Sequence, residues 1–123
     1  MSNSLNFQPA RLNANALEML HENGLRKYAD VFSADSQRIG LAMRIRYRKT
    51  DVNPELKLYA AYLEVSSIEL GNKTYIPTDF VKEYDPGKNR VTLNVSLNTV
   101  EGETWNRVPT FIVARQDEVE ELS

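Results

Sequence analysis

The stretch Arg38-Ile-Gly-Leu-Ala-Met-Arg-Ile-Arg-Tyr-Arg-Lys49 alternates with a period of two. Successive side chains of an extended strand point to opposite faces, so Ile39, Leu41, Met43, Ile45 and Tyr47 fall on one side and Arg44, Arg46 and Arg48 on the other. One side reads as core and the other as a row of guanidinium groups. Same-face neighbours lie about 6.7 Å apart, twice the strand rise, so the three arginines span roughly 13 Å. A cationic strip of this kind suits phosphates or carboxylates, and Arg44, Arg46, Arg48 and the adjoining Lys49 form the first candidate site. Arg46 points away from the core on this reading, so Arg46→Ala is expected to leave the fold intact. Gly40 marks either a bulge or bend in the strand or a simple packing gap.

Upstream of this strand the period is helical. Asn15 is placed to cap a helix with Glu18 three residues on, and Ala16, Leu17, Met19 and Leu20 supply an apolar side before Gly24 ends it. Leu25, Tyr28, Ala29 and Phe32 share a face of a second short helix over residues 25–32. Downstream, a strand is expected within 56–70, a short one at 74–76, a helical turn within 78–84, a long strand over 91–100 and a last strand over 111–115. In the long strand Val91, Leu93, Val95 and Leu97 oppose a polar row of Thr92, Asn94, Ser96 and Asn98. Residues 101–103, Glu-Gly-Glu, read as a hairpin connection. The expected class is α+β: an antiparallel sheet of about five strands, open or partly curled into a small barrel, with two short N-terminal helices. Residues 1–9 read as a loose leader, 10–116 as one domain and 117–123 as an acidic tail.

The 123 residues carry a net charge of −2, with 15 Lys and Arg against 17 Asp and Glu. Four of those carboxylates are Asp117, Glu118, Glu120 and Glu121, which leaves thirteen elsewhere and gives the preceding residues a net charge of +2. The tail is either a solvated terminus or a competitor with an anionic partner for the arginine strip. There is no cysteine, which excludes a disulfide framework, a thiolate metal site and a cysteine nucleophile. The start lacks a basic region followed by an apolar run, and the longest apolar stretch, 58–63, is far short of a membrane span. A cytoplasmic protein without membrane contact is expected.

The single histidine, His21, lies in a helix without an evident orienting partner, which favours a surface or structural role over general-base chemistry. Glu101 and Glu103 could share a strand face as paired carboxylates, but their place beside Gly102 favours a solvated turn. No phosphate-binding or dinucleotide glycine pattern is present, nor a Gly-x-Ser-x-Gly elbow. No cofactor is expected, and binding rather than catalysis is the expected activity. Either the arginine strip is a solvated face paired with carboxylates such as Glu64 and Glu55, or it meets a partner.

Residues 89–96, Asn-Arg-Val-Thr-Leu-Asn-Val-Ser, followed by 101–108, Glu-Gly-Glu-Thr-Trp-Asn-Arg-Val, resemble the strand–turn–strand segment of bacterial single-stranded DNA-binding proteins. The likeness covers about a fifth of the chain; Asn106 stands where that family has histidine, and Pro109 interrupts the following strand. The resemblance implies Trp105 as a base-stacking residue, with Arg107 beside it as a further cationic candidate. The expected function is a non-catalytic module that contacts an anionic partner, either single-stranded nucleic acid or an acidic protein surface, through the arginine-lined strand. The alternative is a structural or protein-interaction subunit without nucleic acid binding, joined to a partner or a second copy through an edge strand.

Overall fold

The computed structural model describes residues 13, 15–48, 59, 61–67, 73–103, 105–113, 115 and 117–123. Lys49 and Glu55, and with them the expected leader, lie outside these residues. In chain order the elements are α1 (Ala16–Glu22), β1 (Asp30–Phe32), β2 (Arg38–Arg48), β3 (Ala61–Ser66), β4 (Lys73–Pro77), a 3-10 turn (Thr78–Phe80), β5 (Val81–Asp85), β6 (Arg90–Leu93), α2 (Leu97–Gly102), α3 (Thr110–Val113) and β7 (Asp117–Glu121). The class is α+β, and the sheet is mixed and seven-stranded among the described residues. Its order is β4-β3-β2-β1-β6-β5, with β7 also on β2. Among the described residues only β1 and β6 run parallel.

β2 is the spine. Its residues 41–47 pair with β3 on one edge, while the other edge is shared, β1 taking 38–41 and β7 taking 44–48. The outermost strands β4 and β5 are joined only by the three-residue turn, so the two edges of the sheet converge at that corner. Asn13 ties it down, donating its backbone N–H to Asp79 (2.7 Å) and its side-chain amide to Val81 (3.1 Å).

The apolar side of β2 departs from strict alternation. Ile39, Ala42 and Ile45 are its fully buried apolar members, while Leu41 and Met43 are half-buried. Two register slips explain this. Opposite β1, Val31 pairs with Gly40 and Phe32 with Arg38, leaving Ile39 extra; opposite β3, Ala42 pairs with Val65 and Arg44 with Glu64, leaving Met43 extra. Each extra residue shifts the facing by one. From Arg44 to Arg48 the alternation holds. A Cβ on Gly40 would lie 2.1 Å from the Ser66 carbonyl oxygen, so glycine is required there by close backbone approach.

Three other segments differ from the sequence reading. Residues 25–32 are not a helix: Tyr28 takes φ +68°, and Tyr28 and Ala29 exchange backbone hydrogen bonds with Ala42, drawing 30–32 into β1. The expected strand over 91–100 stops at Leu93, because Ser96 caps α2 through Thr99 N–H (3.3 Å) and Asp35 accepts from Leu97 N–H (3.1 Å). The polar row is thereby broken up, and residues 101–103 end a helix instead of turning a hairpin. Residues 110–113 form α3, with the Pro109 carbonyl accepting from Ile112 and Val113.

The core lies between one sheet face and α1 and α2, where Leu20, Val31, Ile45, Leu63, Val65, Ile76, Val91 and Val100 pack together. On the opposite face Tyr62 and Tyr75 form a smaller cluster with Ile112 of α3 and Tyr59. Among the described residues no helix is long and apolar enough to cross a membrane.

Candidate functional site

The register places Arg44 opposite Glu64 of β3 on one side and Glu121 of β7 on the other; Arg48 stands opposite Asp117. Alternation then puts Arg44, Arg46, Arg48, Glu64, Asp117 and Glu121 on one face of the sheet. Glu64 is completely buried and accepts from Arg44 Nη1 and from Arg46 Nε (2.9 Å), with Lys73 Nζ at 3.6 Å. Arg44 Nε donates to both oxygens of Glu121 (2.9 and 3.1 Å), and Arg46 Nη1 donates to Asp117 (2.9 Å).

Both arginine side chains are only 20 % exposed, Asp117 10 % and Glu121 60 %. The Glu64 and Asp117 contacts are therefore the strong ones, and the Glu121 contact is discounted by solvent. Burial works against the guanidinium charges, yet hydrogen bonds from Arg44 to Glu121 and from Arg46 to Asp117, reinforced by Glu64, hold both pKa values above the ordinary one. Burial pushes the phenols of Tyr62 and Tyr75, beside the network, upward.

The other face of β7 is also held by side-chain hydrogen bonds. Glu120 accepts from the Tyr47 hydroxyl and meets His21 Nε2 at 2.9 Å; the Tyr47 oxygen and His21 Nε2 are 3.1 Å apart. Burial alone would raise the Glu120 pKa, but the bonds from Tyr47 and His21 outweigh it and the pKa falls. Burial, then the Glu120 carboxylate, moves the Tyr47 phenol upward. The acidic segment is thus a sheet strand, held from both sides.

The other sequence candidates are placed elsewhere. Trp105 is 9 % exposed and sits in the main core against Phe80, ring centroids 5.0 Å apart. Tyr59 continues the row of rings to Phe80 at 5.6 Å and Tyr62 at 6.1 Å, so aromatic contacts run around the sheet from the core to the arginine face. Arg107 is exposed beyond α2. Arg48 keeps a buried Nε without a hydrogen-bond partner among the described residues. The residues that sequence reasoning did not assign to the site are Asp117, Glu121 and Lys73. The usable signal was spacing, since 117, 119 and 121 share one strand face and carry two carboxylates to match Arg44 and Arg46.

Among the described residues no three of His, Asp and Glu converge to hold a metal ion. No family model matches the chain, and comparison with curated proteins and with solved structures returned no match.

Proposed function

We propose that the chain is a binding module acting without catalysis, and that the edge of β2 takes up an extended acidic segment of a partner protein. The observation that carries this reading is the origin of the carboxylates. Of the three among the described residues that meet Arg44 and Arg46, Glu64 belongs to the interior, while Asp117 and Glu121 are delivered by β7. β7 therefore displays what the site accepts: a backbone that continues the ladder along five residues of β2, with two carboxylates four residues apart on one face. Strand addition draws affinity from the main chain and specificity from alternate side chains.

A phosphodiester backbone can meet guanidinium groups but cannot supply ladder hydrogen bonds, which favours a polypeptide over single-stranded nucleic acid. Among the described residues, Arg44, Arg46, Arg48 and Lys73 face Glu64, Asp117 and Glu121 with β7 in place and Glu64 alone with β7 displaced. The excess of positive charge at the site therefore rises from one to three when its own strand leaves.

The test uses the full chain carrying Asp117→Asn and Glu121→Gln, titrated with a labelled peptide of residues 117–123 or a labelled single-stranded oligonucleotide. The variant is expected to bind the peptide about tenfold more tightly than the unmodified chain does, a gain equivalent to one charge-assisted hydrogen bond. The oligonucleotide is expected to show no binding. Oligonucleotide binding that weakens with log salt at about −0.7 per neutralised phosphate would replace the peptide reading with the nucleic acid one. No binding of either ligand would leave a structural subunit.

A further inference from the structure

We infer that β7 is exchanged between two copies of the chain, each laying its own residues 117–123 along β2 of the other. This rests on reading the β2 edge as an acceptor for an acidic strand, and it names the occupant as a second copy.

The first ground is the completeness of the fit. Asp117 and Glu121 meet Arg46 and Arg44 on one face, and Glu120 meets His21 and Tyr47 on the other. Leu122 enters the core, 8 % exposed, and the Ser123 carbonyl accepts from Lys27 N–H at 3.0 Å. A second copy offers the same residues in the same order, so every one of these contacts is restored on exchange. The resulting interface is self-complementary under a two-fold axis, and each arginine site is completed by carboxylates of the other copy.

The second ground is the connection. Residues 114–116 alone stand between α3 and β7, and Arg115 among them holds φ +60°. That left-handed conformation is unfavourable for a residue with a Cβ. Strain at Arg115, so close to the start of β7, invites strand exchange, because an extended backbone at that residue relieves it. The third ground is how little β7 hides. Val119 is 45 % exposed, and Leu122 is the one apolar side chain that residues 117–123 place in the core, so the strand can leave without uncovering a large apolar surface.

Two substitutions at one position test the idea in opposite directions. Glycine accepts φ +60° freely, so Arg115→Gly favours the closed monomer. Proline fixes φ near −65° and removes the N–H that Arg115 donates to Ile112 (3.0 Å), so Arg115→Pro favours the open, exchanged dimer. Sedimentation equilibrium should show a dimer whose dissociation constant falls about tenfold in Arg115→Pro and rises about tenfold in Arg115→Gly.

Exchange, as opposed to another dimer contact, is identified by mixing. One Arg115→Pro chain carries Arg46→Ala and the other Asp117→Ala; only a mixed exchanged dimer contains an intact Arg46–Asp117 pair. Native mass spectrometry should find mixed dimers well above the random half. A random half overturns the proposal. So does an unmodified chain that stays monomeric to millimolar concentration, whether or not the proline variant folds. Peptide uptake without a dimer would overturn exchange and leave the acceptor reading intact, whereas an exchanged dimer that refuses peptides of other acidic sequences would overturn that broader reading alone.

Discussion

Removing both guanidinium groups, by Arg44→Ala together with Arg46→Ala, is expected to lower the unfolding free energy by about 3–5 kcal/mol. The cause is Glu64, which is fully buried and, among the described residues, would keep only Lys73, at 3.6 Å, as a cationic partner. A buried carboxylate without its partners bears the cost of leaving water with nothing to offset it. Arg46→Ala alone costs less, because Arg44 and Lys73 still reach Glu64. It still carries a cost in stability, because Glu64 and Asp117 each lose a donor. Adding Glu64→Leu to the double variant should restore most of the loss. Urea unfolding at neutral pH measures all three. A loss under about 1 kcal/mol in the double variant would mean that Glu64 finds water or another donor.

Gly40→Ala is expected to cost at least about 3 kcal/mol, at the upper end of single substitutions. The added methyl would stand 2.1 Å from the Ser66 carbonyl oxygen and 2.9 Å from Val65 Cγ1, at the end of the β2–β3 ladder where Leu41 pairs with Ser66. Neither strand can yield without breaking the pairing of Leu41 with Ser66 and disturbing the bulge beside it. Gly24→Ala provides the contrast. It has φ +64° with open space around it, so the substitution brings only the intrinsic cost of the left-handed region, about 1–2 kcal/mol. Thermal and denaturant unfolding of the two variants should separate a steric clash from a conformational preference, and equal losses would contradict the close approach of β2 and β3.

The arginine face of β2 was legible because nothing interrupts the alternation between Arg44 and Arg48. The apolar face upstream was not, since bulges at Ile39 and Met43 are specified by pairing with β1 and β3, which no local pattern announces. Leu25 and Ala29 sit four apart and are both buried, the spacing a helix would show, yet the backbone of 28–29 is claimed by Ala42. Ser96 carried its capping signal within an alternating run, and long-range contact from Asp35 decided between the two. The parallel pairing of β1 with β6 joins residues 60 positions apart in sequence, Asp30 with Arg90, and has no local trace. For the candidate site, the sequence supplied both halves of the charge pairing, the arginines and the acidic segment. It could not show that the acidic segment is a strand, because Asp and Glu are poor strand formers and this one is recruited by the free edge and the cations of β2. Trp105 was legible as a large aromatic, but its burial against Phe80 depends on where α2 turns the chain.

Residue-by-residue amide hydrogen exchange under native conditions tests most directly whether β7 is a removable occupant of the arginine site. Its side chains are mainly charged and exposed, whereas β3 is buried along five of its six residues, so the two strands differ in what their opening uncovers. The amides of Asp117 to Glu121 should exchange through a local opening, about tenfold or more faster than those of β3, and faster again when Asp117→Asn and Glu121→Gln loosen the strand. Exchange of β7 and β3 at one common rate, set by global unfolding and unmoved by those substitutions, would mean that β7 never leaves and that the arginine strip is a closed structural network.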